Sequence, residues 1–291
     1  MFRWEDFEAG QVVDMSPVIQ TVTPVITPFS SLLMSKAVRA SGPHVTWIEE
    51  EINEDAAVTQ SEGGDAPDHK EDSTDLMDNY LEIFAATAIV SNTAQASDAV
   101  GYRDLLAKKV INKMKAIKMR MENRFIHGEA GYDEYEKTYT TAGIMNLINA
   151  ANIVDNGGYD IEESMFLEML EKLYLRGVND EMICFLSAAD KIRVNGFDTV
   201  QWYAKDKFLG FDADVYVSVY GQVKFALTEK LNEGNIFVVN PNYLEMPVLI
   251  PFGGKLEPAS GSKQSMYLET QAGVKLLNGY AAAAIGEVIG S

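Results

Sequence analysis

Histidine and cysteine are the side chains from which metal and nucleophilic sites are most readily built, and this chain has three of the first and one of the second. His44, His69 and His127 lie far apart and in different contexts, without the close ligand spacing of a zinc site. His44 and His69 read as loop residues, and His127 as a cation at the C-terminus of a helix, where the dipole favours it. Cys184 sits inside Met182-Ile183-Cys184-Phe185-Leu186 and reads as a small core hydrophobe. Gly253-Gly254-Lys255 lacks the upstream glycine and the Ser/Thr of a phosphate-binding loop. No Gly-x-Ser-x-Gly elbow is present. The acids from Asp65 to Asp78 do not follow the Asp-x-Asp-x-Asn-Gly order of a calcium loop. No pair stands out among the 43 acids for acid–base work, so no catalytic, cofactor-binding or metal residue is assigned.

The charges that do stand out are segregated. Between residues 49 and 82 there are thirteen acids and one base, Lys70, a net of −12. Between 103 and 127 there are eight bases and two acids, a net of +6, in a chain that totals −19. The acidic stretch is a solvated or partner-facing surface. The basic stretch is either a solvated face that balances the acids of its own domain or a docking rail for something acidic. It has no aromatic residue but Phe125, so it offers no platform for stacked bases. The richest acidic partner is the 49–82 stretch of another copy. The interface candidates are therefore Trp47, Glu62, Asp65, Asp68, Glu71 and Asp72 on one side, and Lys108, Lys113, Lys115 and Lys118 on the other.

Several elements position these charges. Residues 1–48 carry little charge, and Pro17, Pro24 and Pro28 interrupt them, which reads as an extended arm with short strand pieces. The acidic stretch centres on Ser61-Glu62-Gly63-Gly64-Asp65-Ala66-Pro67, a turn-rich breaker with apolar flanks, and reads as a long loop or hairpin that leaves the body and returns. Residues 83–90 read as a strand. The basic stretch is a helix over 103–127, about 37 Å long. Its apolar stripe is Leu106, Val110, Met114, Ile117, Met121 and Phe125, in steps of 4, 4, 3, 4 and 4. That stripe should face the subunit's own sheet and leave Lys108, Lys115 and Lys118 outward. Gly128 stands where a helix stop belongs.

Beyond the helix, Asp160 reads as the N-cap of a helix to about Arg176, stopped by Gly177. Met182–Leu186 reads as a buried strand and 188–194 as a helix. Strands are expected over 215–227, 236–239 and 248–250. A final strand pair, 266–277 and 280–285, is expected to turn at Asn278-Gly279.

Length and composition set the frame. At 291 residues, 47% apolar and 23% charged, the chain is an ordinary globular one of one large or two modest domains. One cysteine excludes an internal disulfide framework. An acidic chain does not coat nucleic acid or anionic membranes. The opening Met1-Phe2-Arg3-Trp4-Glu5-Asp6 is not a signal peptide, and no apolar run reaches the length of a membrane span. The expectation is a soluble protein made in a reducing cytoplasm, with an acidic cytoplasmic enzyme as one reading.

The ordered segments carry a resemblance. They are Thr27-Pro28-Phe29-Ser30-Ser31-Leu32; Val45-Thr46-Trp47; Asn79-Tyr80-Leu81-Glu82-Ile83-Phe84; Val90-Ser91-Asn92-Thr93-Ala94-Gln95-Ala96; the long helix; and Gly143-Ile144-Met145-Asn146-Leu147-Ile148. With them the chain resembles the major capsid proteins of tailed bacteriophages, of the Hong Kong 97-type fold, and in particular the SU-ten-like major head proteins. At Thr141-Ala142-Gly143 the sequence departs from the pattern, which has an Arg near the glycine. The resemblance implies an α+β fold with an N-terminal arm (1–44) and an extended loop (45–85). It also implies a peripheral domain (86–139 and 236–291) with the spine helix 103–127, and an axial domain (140–235). It implies no cofactor and no catalysis. Its partners are copies of itself in hexamers and pentamers, a scaffolding protein, a portal and a decoration protein. The shell it builds in the host cytoplasm encloses DNA and becomes the virion. A shell of the same fold around an enzyme cargo, as in encapsulins, is the alternative.

Overall fold

The computed structural model describes residues 13–14, 27–53, 56–63, 65–66, 68–96, 105–178, 180–197, 202–208, 211–258 and 261–286. Most of the expected arm, and Arg103 with Asp104 at the start of the expected helix, lie outside them. In chain order the strands are β1 (Val13–Asp14), β2 (Ala37–Arg39), β3 (His44–Glu51), β4 (Ser73–Tyr80), β5 (Glu82–Ser91), β6 (Gly131–Asp133), β7 (Thr138–Thr140), β8 (Ile153–Asp155) and β9 (Met182–Leu186). They continue as β10 (Trp202–Phe208), β11 (Phe211–Ser218), β12 (Gly221–Leu227), β13 (Ile236–Val239), β14 (Leu244–Leu256), β15 (Lys263–Ala272), β16 (Lys275–Leu276) and β17 (Ala282–Gly286).

Two sheets organise the chain. The first runs β1-β14-β15-β5, with β2 and β16 also on β14. The second has seven strands in the order β10-β11-β12-β9-β13-β17-β8. The long helix, Leu105–His127, buries Val110, Met114, Ile117, Met121 and Phe125, which is the stripe read from the periodicity. It packs on β5, where Phe84 meets Phe125 edge-on at 5.7 Å.

β9 is buried at every position. Ile183 and Phe185 join the core under the long helix, while Met182, Cys184 and Leu186 join a second core under the helix Glu163–Leu175. β13 and β17 divide their residues between the same two cores in the same alternation. A strand covered on both faces has no polar side, which is why these segments are unbroken apolar runs. Cys184 is fully buried, and burial pushes its thiol far above the ordinary range, so it is the inert core residue expected.

Several sequence expectations are corrected. The arm contains a helix, Pro28–Ser35, with proline in its first turn, where no backbone donor is needed. Phe29 then packs edge-on against Phe185 and Phe237, 5.2 Å from each. Asp160 does not cap the following helix, which begins at Glu163; its carboxylate pairs with Arg193 at 2.8 Å. Gly177, at φ +74°, does stop that helix: its N–H donates to Tyr174 and the next N–H, of Val178, to Leu173. The run 215–227 is a hairpin rather than one strand, with Ser218 opposite Gly221. The last two strand segments do not pair with each other. β15 lies between β14 and β5, whereas β17 crosses to the other sheet. Asn278-Gly279 is spent on a single 3-10 turn whose N–H at Tyr280 the Asn278 side chain accepts.

Gly128 ends the long helix for a reason other than a left-handed backbone. A Cβ there would run into the Thr141 carbonyl oxygen, and one on Gly143 would lie 2.5 Å from the Ile126 carbonyl. The Gly143 N–H donates to the Gly128 carbonyl at 2.7 Å. Gly128→Ala is expected to cost about 2–3 kcal/mol, read from the urea midpoint, because its Cβ would meet the carbonyl oxygens of Thr141 and Arg124, which are backbone and cannot turn aside.

Candidate assembly surface

The acidic stretch is a two-stranded hairpin, β3 against β4, with Ile48 facing Leu76 and Glu51 facing Ser73. Side chains alternate between its faces. One face carries Trp47, Glu49 and Glu51 toward the body of the same subunit. The other carries Ile48 and Leu76, which are 65% and 71% exposed. Beyond β3 and β4, Glu62, Asp65, Asp68, Glu71 and Asp72 are all exposed around the tip. Their order is local: the Asp72 carboxylate accepts from the Asn53 N–H at 2.7 Å.

The hairpin is fixed to the body of its subunit at several points. Asn79 is buried and donates to the carbonyls of Ala142 and Val274, while its own carbonyl accepts from the N–H of Ala142. Glu82, just beyond, accepts from Arg124 of the long helix at 2.8 Å. On the other side Glu51 meets Arg176 at 2.6 Å, and Glu49 accepts from the Gly279 N–H at 2.9 Å. Burial pushes the Glu49 carboxyl above its usual range, against the hydrogen bond from Gly279. Trp47 was expected at an interface and is instead buried in its own subunit, because the strand alternation puts it on the inward face with Glu49. His44 opens β3 rather than sitting in a loop; it pairs with Asp78 at 2.7 Å and stacks on Tyr80.

The long helix offers fewer free cations than its sequence count. Lys109 donates to the Ile89 carbonyl at 2.7 Å, and Arg124 is held by Glu82. Lys118, expected to point outward, is only 2% exposed, and its Nζ donates to the Ser31 hydroxyl at 2.8 Å. It follows Met114 by four residues, so it lies on the buried stripe. Lys113 and Arg120 are exposed, and Lys108 and Lys115 are partly so. His127 stands at the helix end as expected, its ring nitrogen 2.7 Å from the Lys230 carbonyl.

Four residues after Lys118 comes Glu122, fully buried, which no pattern in the sequence singled out. Its oxygens accept from the backbone N–H of Phe29 at 3.1 Å and of Ser30 at 2.6 Å, and from the Thr228 hydroxyl at 3.3 Å. It therefore satisfies the opening donors of the Pro28–Ser35 helix and ties the arm, the long helix and the end of β12 together. Burial pushes its carboxyl up against those hydrogen bonds, and burial holds the Lys118 ammonium below its usual range, against the attraction of Glu122. Among the described residues no group of histidine, cysteine and carboxylate side chains is placed to hold a metal, and no helix is long and apolar enough to cross a membrane.

This arrangement has close parallels in shape. The capsid of the cyanophage P-SCSP1u matches at a TM-score of 0.62 and 9% identity, over 96% of this chain and 91% of that one. The capsid of cyanophage A-1(L) matches at 0.61 and 9%, over 98% and 96%. The encapsulin of the holo-SrpI complex from Synechococcus elongatus PCC 7942 matches at 0.61 and 11%, over 97% and 92%. No curated protein matches the sequence. The fold is thus the α+β fold of Hong Kong 97-type shell subunits, with its long helix and projecting hairpin. The sequence profile of the SU10 major capsid protein family matches residues 5–289, and the chain belongs to that family. It is a capsid shell subunit of the tailed-phage type.

Proposed function

We propose that copies of this chain form hexamers and pentamers, which tile a closed shell around double-stranded DNA, and that the chain performs no catalysis. The observation that carries this reading is the hairpin, whose outer face shows Ile48 and Leu76 to solvent while its root is buried. An exposed apolar face on a projecting element marks a contact surface, and its partner here is another copy. Interfaces clearing about 1,000 Å² are expected. The sheet of β5, β14 and β15 with the long helix serves as the peripheral domain. The sheet around β9 serves as the axial domain (140–235), and β13 and β17, from the 236–291 segment given to the peripheral domain (86–139 and 236–291), join it there. The arm (1–44) and the extended loop (45–85) complete the subunit. A scaffolding protein, a portal and a decoration protein are the further partners, assembly takes place in the host cytoplasm, and the product is the virion. The net charge of −19 suits a wall that must not adhere to the DNA it holds. Electron microscopy of the expressed chain tests the reading: closed shells support it, and small soluble oligomers alone overturn it. Shells from the native source holding protein rather than DNA would favour the encapsulin-type alternative, to which the match with the SrpI shell lends support.

Within that reading, the acidic hairpin of one copy docks beside Lys113 and Lys115 of its neighbour, and the attraction helps set the register of assembly. Each exposed pair contributes only about 0–1 kcal/mol, but the contact repeats throughout a shell. Lys113→Glu with Lys115→Glu should reduce shell yield, and Glu71→Lys with Asp72→Lys should partly restore it. Screening acts over about 8 Å at physiological salt, so yield should also fall as salt rises. Equal assembly of single and combined variants at every salt concentration would remove this attraction from the account.

A further inference from the structure

We propose that Glu49 and Glu51 form a latch that fixes the direction in which the acidic hairpin leaves its own subunit, so that the hairpin meets the neighbouring copy already aimed. The inference rests on the shell-subunit reading for its consequence, but its geometry lies within one chain. The two carboxylates share the inward face of β3 and reach two separate elements of the body. Glu51 contacts the Arg176 guanidinium at 2.6 Å, just past the end of the Glu163–Leu175 helix. That guanidinium lies over the Tyr280 ring, 4.0 Å from its centre, so carboxylate and ring hold it together. Glu49 accepts from the Gly279 N–H, one residue before that ring. The root of the hairpin itself is tied down by Asn79 and by Glu82 with Arg124.

A hairpin held only at its root pivots there; held also at the sixth and last residues of its first strand, it cannot. The leverage is large. A strand of eight residues, as β3 is, measures about 27 Å, so a swing of about 10° carries its far end about 5 Å, the spacing of neighbouring strands in a sheet. Glu51 ends the strand, and beyond it Glu62, Asp65, Asp68, Glu71 and Asp72 are exposed. The latch therefore sets direction without covering the surface that a neighbour is to bind. Its effect is preorganisation: the angle is settled before assembly rather than paid for during it.

The test uses the full chain, both unassembled and assembled, with Glu49→Ala plus Glu51→Ala, since a glutamine at 49 would still accept from the Gly279 N–H, and separately Arg176→Gln. In the unassembled protein the amides of β3 and β4 should exchange with deuterium roughly three- to tenfold faster, while those of the long helix keep their protection and so report an intact body. Assembled variants should give shells of mixed diameter by electron microscopy. The exchanged pair, Glu51→Arg with Arg176→Glu, should restore both readings in part, because it remakes the ion pair without the cation over the Tyr280 ring. Wild-type exchange in β3 and β4 together with wild-type shell diameters in these variants would overturn the latch. If the wild type itself forms no shells, the shell reading fails, and the exchange measurement still decides whether the latch exists.

Discussion

Met114→Asp is expected to cost the isolated subunit about 4 kcal/mol or more, seen as a large fall in the denaturant midpoint, while Lys115→Asp leaves that midpoint nearly unchanged. Met114 is at the centre of the long helix and is buried against the sheet core. A carboxylate there loses its hydration, and Lys118, four residues on, is already engaged by the Ser31 hydroxyl and attracted by Glu122, so the chain must bury a charge, protonate it or open the core. Lys115 is one residue and about 100° further round the helix, partly exposed and outside that core. Equal damage from the two substitutions would reject the assignment of faces.

The second large effect is expected at Glu122. Glu122→Ala leaves the N–H groups of Phe29 and Ser30 and the hydroxyl of Thr228 without their acceptor in a buried place. The expected loss is about 3 kcal/mol, since each buried donor left unpaired carries its own penalty. Exchange protection at Phe29 and Ser30 should fall with it. The titration has a defined sign. Burial raises the Glu122 carboxyl above its ordinary 4.5, so the folded state prefers the protonated form. Its contribution to stability is complete below the ordinary value and is lost as pH rises through the raised one. The stability of the wild type minus that of Glu122→Gln should therefore decrease with pH from about 4.5 upward. A difference that stays level, or grows, across that range would show that the hydrogen bonds outweigh burial.

The parts of this fold that are legible in the sequence are those with local periodicity. The stripe from Val110 to Phe125 repeats within one helix, and the run Met182–Leu186 announces a strand covered on both faces. The hairpin announces itself by charge and by its glycine-rich centre. What stays hidden depends on distant partners. Glu122 is one acid among 43, and what sets it apart is backbone more than 90 residues away. A local sign of it does exist, because Lys118 and Glu122 are spaced i, i+4 and continue the row of Met114. Counting cations along the helix conceals that row; placing them by angle reveals it. Asn278-Gly279 misleads for a different reason. The dipeptide favours a tight turn whether the strands on either side pair with each other or, as here, enter different sheets.

The alternation of β9, β13 and β17 between two cores bears on how the subunit carries load. Each of these strands is at once the floor of one core and the ceiling of the other. A shift in one core reaches the other through the same backbone, with no seam between for one to slide over the other. The subunit is therefore expected to yield as a whole, its two cores lost in a single transition.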